Sequence, residues 1–356
     1  MNKKRNANIE LLRILSMLMV TMLHALGKSE LLVPFEFGVS GNAWIAWIFE
    51  ALSIGAVNIF MLISGYFLIH SEFKWKRLAE IILQVLFYSV GAYLVLYFLG
   101  ITLYEEKNVY YVLQYVLPIH MDVYWFITAY VVIYALLPVI SAGVKALPEK
   151  TLRGVILLLL VYECVIKSIL PVVLETDSKG YSVLWYLIMF LLGAYFRLYG
   201  FHFLNAAWKG VVAYFAGSLL VLAETAAIGE IYRHTNRLGM LTNVGTNYNH
   251  IFVVLAAVGI FAAFVQSKPI KEGPSRIICM LSPYALGVYL LQENVTLRYR
   301  WQKWFGLDGA LDGSLFRCLG ILLGSVLAMY VMGTVIDFVR SMIFRGIASL
   351  AGKQKM

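Results

Sequence analysis

The sequence predicts an all-α, polytopic membrane bundle of about ten transmembrane helices with both termini in the cytoplasm. Three observations predict it. Of 356 residues, 61% are hydrophobic and only 14% are charged, where a soluble domain carries about 25% charged residues. The mean hydropathy is +0.78. Apolar runs also recur along the chain at roughly the 20 residues a bilayer helix needs. Such runs are far too long for barrel strands, and a helix satisfies its own backbone in lipid.

The first run, about 9–27, opens the bundle and holds Glu10, Arg13 and His24. The second, about 44–69, is expected to be interrupted at Asn58 and Ser64-Gly65. The third spans about 78–100. A shorter apolar and aromatic piece, Val109–Met121, reads as re-entrant or interfacial. The fourth, about 123–142, opens at Tyr124-Trp125-Phe126, and the fifth, about 152–171, carries Glu163 and Lys167 at i, i+4, a structural pair. Runs at about 182–200, 209–228 and 247–267 follow. The ninth, about 276–294, ends on Glu293, and the last is about 313–343. Residues 1–356 read as a single transmembrane domain with no second soluble unit. There is no convincing internal repeat. Arg13 in the first run, and the lack of a small-residue cleavage site, argue against a cleavable signal peptide.

Loop charge sets the expected orientation. With the N-terminus in the cytoplasm, ten crossings return the C-terminus there. Eighteen loop lysines and arginines then lie inside, among them Lys3, Lys4, Arg5, Lys74, Lys76 and Arg77. Eight lie outside: Lys28, Lys107, Lys179, Arg233, Arg237, Arg298, Arg300 and Lys303. The +9 net charge therefore records topology and does not point to nucleic acid. The outer loop 295–312, with Arg298, Arg300 and Lys303, suits either lipid headgroups or an anionic partner. Cys164, Cys279 and Cys318 are isolated packing residues without metal or redox spacing.

The chemistry concentrates on the first helix. At about 100° per residue, Arg13 sits about 20° to one side of His24 and Glu10 about 40° to the other. Arg13 and His24 are about 16 Å apart along the axis. Charges inside a bilayer helix are costly and face a protein interior or a wet cavity. His24 has the pKa range of a general base, while Glu10 and Arg13 can also neutralise each other at i, i+3. In Phe73-Lys74-Trp75-Lys76-Arg77 the cations serve topology, and they also suit phosphates. Glu293 lies at roughly the depth of His24, where a carboxylate orients an imidazole or holds a sugar hydroxyl. Glu224 and His250 are polar positions without an evident partner. No Gly-rich phosphate loop, nucleophile elbow or zinc motif occurs.

Together these features resemble the acyltransferase-3 family of integral membrane acyltransferases, many of which O-acetylate extracellular polysaccharides. The resemblance spans nearly the whole chain. Its strongest element is an arginine, ten residues, then a histidine in the first helix, here Arg13 and His24 in the context Ile9-Glu10-Leu11-Leu12-Arg13. The run from Val57 to Tyr66 looks typical. So does Tyr124-Trp125-Phe126-Ile127-Thr128-Ala129-Tyr130 followed by Pro138, similar to members encoded with capsule and exopolysaccharide genes. A two-basic motif corresponds to Lys74 and Arg77, with lysine at the first position. The resemblance implies acetyl-CoA as co-substrate and no metal. Its phosphates would sit on Lys74 and Arg77, its pantetheine arm would pass Arg13, and its thioester would lie at His24. It implies catalytic roles for His24, Arg13 and Glu293, and a cell-surface polysaccharide or lipid-linked oligosaccharide acceptor at a multi-pass plasma-membrane protein. Many members have histidine where this chain has Gln292, which cannot shuttle a proton.

A transporter or flippase for a lipid-linked sugar also needs intramembrane charge, but does not need the basic cluster at Lys74–Arg77. Acetyl-CoA binding in detergent separates the two readings.

Overall fold

The computed structural model describes residues 5–101, 108–170 and 178–353, the last three by backbone alone. Of the topology residues, Lys3, Lys4, Lys107 and Lys355 lie outside these segments, as does the end of the run at 171. The described residues form helices and loops, with no strand. Twelve helices make up most of the described bundle. They are α1 (Ala7–Lys28), α2 (Ala43–Leu68), α3 (Trp75–Phe98), α4 (Val109–Val116), α5 (Trp125–Ala135) and α6 (Leu137–Ala146). They continue with α7 (Glu149–Leu160), α8 (Val183–Tyr199), α9 (Ala207–Thr235), α10 (Ile251–Gln266), α11 (Glu272–Gln292) and α12 (Leu315–Lys353).

Six of these, α1, α2, α3, α9, α11 and α12, are long and apolar enough to cross a membrane. The pair α5 and α6 makes a seventh if its 59° bend, at Leu136 two residues before Pro138, lies within one span. Proline lacks the N–H that would carry α5 onward and clashes with the preceding turn. Helices α8 and α10 are apolar but only 17 and 16 residues long. Helix α7 runs through a π-helical turn, Val161–Val165, into Ile166–Ile169, and carries Arg153, Glu163 and Lys167. Every long apolar run of the sequence is therefore helical.

The break in α2 falls at Ile54-Gly55, between Ala43–Ser53 and Ala56–Leu68, and not at Asn58 or Ser64-Gly65. Both polar sites are satisfied inside the helix. Asn58 Nδ2 donates to the Tyr248 carbonyl (2.7 Å) and its Oδ1 accepts from Trp185 Nε1 (2.9 Å). Ser64 Oγ donates back to the Phe60 carbonyl. Gly65 is small because α8 lies against it: a Cβ there would come within 1.9 Å of the Phe190 carbonyl oxygen. Gly193 of α8 meets Leu62 in the same way. Small residues also seat α9 on α10, where Gly210 and Gly217 face Gly259 and Ala256. Close backbone approach of this kind is how helices associate in lipid.

Helix α1 runs through the middle of the assembly. Asn6 caps it by accepting from the Asn8 N–H. The Asn8 amide in turn donates to the Ser267 and Lys268 carbonyls at 2.9 and 3.2 Å, tying the start of α1 to the end of α10. The short α4 is not a span. Its Tyr115 is buried, sharing a hydrogen bond of 2.7 Å with Thr296, and its carbonyl accepts from Ser89.

Candidate functional site

Three hollows with shared wall residues follow α1 through the bundle. The first, about 670 Å³, lies at the N-terminal end of α1, and its walls include Arg5, Glu10, Arg13, Arg77, Glu80 and Tyr130. The second is a narrow apolar neck of about 120 Å³, walled by Met17, Val20, His24, Trp125 and Tyr289, among others. It shares Phe60, Phe126 and Leu286 with the first hollow. The third, about 380 Å³, lies at the C-terminal end of α1 and shares His24, Leu23, Trp125 and Tyr248 with the neck. His24 thus faces both the neck and the third hollow.

The helical period of α1 causes this. Arg13, Met17, Val20 and His24 recur at spacings of four, three and four, so one face lines first the polar hollow and then the neck.

In the first hollow, Glu10 is shared by two arginines. Its carboxylate lies 3.4 Å from Arg5 Nε and 3.5 Å from an Arg13 nitrogen, and accepts from Ser282 Oγ at 2.6 Å. The Glu10–Arg13 pairing expected from spacing is present, and Arg5 joins it. Arg13 also lies over the Phe67 ring at 5.9 Å. Arg77 donates to the Tyr130 hydroxyl (3.4 Å) and sits over the Tyr134 ring at 5.5 Å. Lys74 does not line this hollow. It occupies the N-cap position of α3 in extended backbone, and its N–H donates to the Tyr134 hydroxyl at 3.1 Å. The Arg77 N–H donates to the Lys74 carbonyl at 3.0 Å, so Lys74 stands at the entry to the helix whose face carries Arg77. The structure thus unites Arg13 and Arg77, with Arg5, and leaves Lys74 exposed outside.

At the far end, Glu293 Oε1 lies 3.2 Å from His24 Nδ1. The approach is within hydrogen-bond reach but not aligned as one. Catalytic contacts of this sort commonly tighten only around a bound substrate. The closer partner of Glu293 is the Lys28 ammonium. Lys28 follows His24 by four residues and so shares its face. The carboxylate is 6% exposed and is held at the end of α11 by a turn through Tyr289 and Leu291. Tyr289 lies beside His24, ring centroids 6.3 Å apart. Gln292 is fully buried and donates to Met17 Sδ at 3.9 Å.

The loop after α11 folds back on this end. Trp301 is fully buried, and Gln302 Nε2 reaches the His24 carbonyl at 3.4 Å. Lys28 and Arg298 both lie over the Tyr299 ring. His250 and Glu224, which show no evident partner in the sequence, lie 3.3 Å apart at the start of α10.

Sequence reasoning misses Arg5, which reads there as loop charge, and Lys28, although its i+4 spacing from His24 is visible. It also misses Glu50, a lone carboxylate in the second apolar run, where burial of an ionisable group is itself a signal. Tyr181 and Tyr248, which wall the third hollow, give no signal, because aromatic residues are ordinary packing material.

A family model described as an acyltransferase domain, that of the acyltransferase-3 family, matches residues 6–335. No curated protein and no solved structure matches the chain.

Proposed function

The chain belongs to the acyltransferase-3 family and is a multi-pass membrane acyltransferase, and from that premise we propose that it moves an acetyl group from cytoplasmic acetyl-CoA to a hydroxyl of a glycan on the opposite side of the plasma membrane. The observation that carries this reading is the position of His24, which faces both the apolar neck and the third hollow.

The donor end is the first hollow. Arg5, Arg13 and Arg77 supply a concentration of cations, partly offset by Glu10 and Glu80. Guanidinium groups suit phosphates through charge and paired donors. The neck is apolar, as the pantetheine arm requires, and the axial distance from Arg13 to His24 is about 16 Å at 1.5 Å per residue. On this reading the N-terminal end of α1 and both chain termini face the cytoplasm, which agrees with the loop charges.

At the far end an acceptor hydroxyl approaches His24. The imidazole removes its proton as the hydroxyl oxygen attacks the thioester carbonyl. The C–S bond then breaks, the ester is released, and the coenzyme A thiolate takes the proton from the imidazolium. Glu293, 3.2 Å from the imidazole, stabilises the positive charge while it exists. Lys28 holds that carboxylate in position through its ion pair. Gln292, whose amide donates to Met17 Sδ, also lies within hydrogen-bond reach of His24, and since an amide cannot shuttle a proton, the proton itself is carried by His24.

The test is transfer of radiolabel from [¹⁴C]acetyl-CoA to envelope polysaccharide that has been stripped of esters by mild base. The proposal expects base-labile label on the glycan and acetyl-CoA binding by the protein in detergent. A protein that binds no acetyl-CoA contradicts the donor assignment. One that binds it but labels no glycan contradicts the acceptor assignment.

A further inference from the structure

Glu50 is a buried carboxylate to which none of the above assigns a task. It lies on α2, is 7% exposed, and its Oε2 is buried without a hydrogen-bond partner among the described residues. It is also the wall between two hollows. One is the third hollow, with His24 and Glu293; the other, of about 210 Å³, lies beside it. The two share Glu50, Asn243 and Thr246.

An unpaired buried carboxylate is expensive and persists where an occupant supplies donors. The adjoining hollow is built for a polar occupant with an apolar face. One wall is aromatic: Trp47 and Phe35, ring centroids 4.9 Å apart, with the Trp47 N–H already committed to the Val33 carbonyl. The rest of its rim includes Thr225, Thr242 and Asn243. Hydroxyl, amide and carboxylate groups facing an aromatic floor match a sugar ring, which has hydroxyls at its edge and C–H groups on its faces.

We propose that this hollow is an acceptor subsite for the sugar next to the one being acylated. Glu50 accepts hydrogen bonds from hydroxyls at the junction between the two sugars. The acceptor is then a chain of at least two sugar units, and a monosaccharide is a poor substrate. The inference rests on the glycan reading above and specifies the acceptor further.

The test uses the ester-stripped envelope polysaccharide in two forms, intact and acid-hydrolysed to monosaccharides. Two variants attack the subsite independently. Glu50→Gln replaces the carboxyl with an amide of the same shape, and Thr242→Trp fills the adjoining hollow from a different element. The readout is the ratio of kcat/KM for the intact form to that for monosaccharides. Both variants should lower this ratio about tenfold, Glu50→Gln by weakening hydrogen bonds to the second sugar and Thr242→Trp by excluding that sugar from the hollow. Correct folding of each variant is checked by acetyl-CoA binding in detergent, since the donor hollow lies at the other end of the neck. A ratio unchanged in either correctly folded variant overturns the subsite while leaving the glycan reading intact. A wild-type protein that labels neither form overturns the glycan reading, and the subsite with it.

Discussion

His24 and Glu293 are 269 positions apart in the sequence, yet their side chains approach to 3.2 Å at the mouth of an apolar neck. The first belongs to α1 and the second ends α11. Two helices must cross at one depth for this to happen, and Lys28 ties the same carboxylate back to α1. Such a fixed cluster of ionisable groups inside a membrane bundle is costly to build unless it is used.

Replacing His24 with alanine should lower transfer by about 10²–10⁴-fold, the range for loss of a general base. Acetyl-CoA binding should be nearly unchanged, because the phosphates lie at the other end of the neck. Transfer and binding measured on the same purified preparation check this. Activity within tenfold of wild type removes His24 from the mechanism.

Glu293→Gln keeps size and hydrogen bonding but removes charge. If the carboxylate stabilises the imidazolium that forms in the transition state, kcat and kcat/KM should fall by similar factors. A rise confined to the KM for the glycan assigns Glu293 to acceptor binding instead.

For the donor end, Arg77→Gln should raise the KM for acetyl-CoA about tenfold with a smaller effect on kcat, because the phosphates are remote from the reacting bond. Lys74→Gln should change that KM less than twofold, since Lys74 lies outside the hollow. Equal effects from both variants restore the two-basic clamp that spacing alone suggests.

Much of the fold and of the α1 face is legible in the amino-acid sequence. Hydropathy runs locate the long helices because lipid forces each to close its own hydrogen bonds. The period of a helix puts Arg13 and His24 on one face, and that face lines the hollows. What is not legible depends on contact between distant segments. Asn58 and Ser64-Gly65 suggest a break in α2 because polar and small residues weaken an isolated helix. Tyr248, Trp185 and α8 satisfy and cover those positions, and the break falls at Ile54-Gly55 instead. Spacing groups Lys74 with Arg77, whereas of the two only Arg77 lines the hollow. Glu50 stands out as a lone carboxylate in an apolar run, but nothing in its neighbours along the chain announces the two adjoining hollows it lines.

The α2–α8 contact makes a stability prediction independent of function. Gly65→Ala puts a methyl group into the Phe190 carbonyl and should destabilise the fold by about 1–3 kcal/mol. Gly154→Ala on α7 meets nothing within 4 Å and should be neutral or stabilising by about 0.5–1 kcal/mol. Thermal unfolding in detergent compares the two; equal shifts contradict the close packing described for Gly65.

The most direct test of a transmembrane relay through His24 is transfer across a sealed membrane. Ester-stripped envelope polysaccharide is enclosed in proteoliposomes, and [¹⁴C]acetyl-CoA, which does not cross lipid, is added outside. The account predicts base-labile label on the enclosed polysaccharide with the wild-type protein and its loss with His24→Ala. Label that appears only when donor and acceptor share a compartment contradicts it.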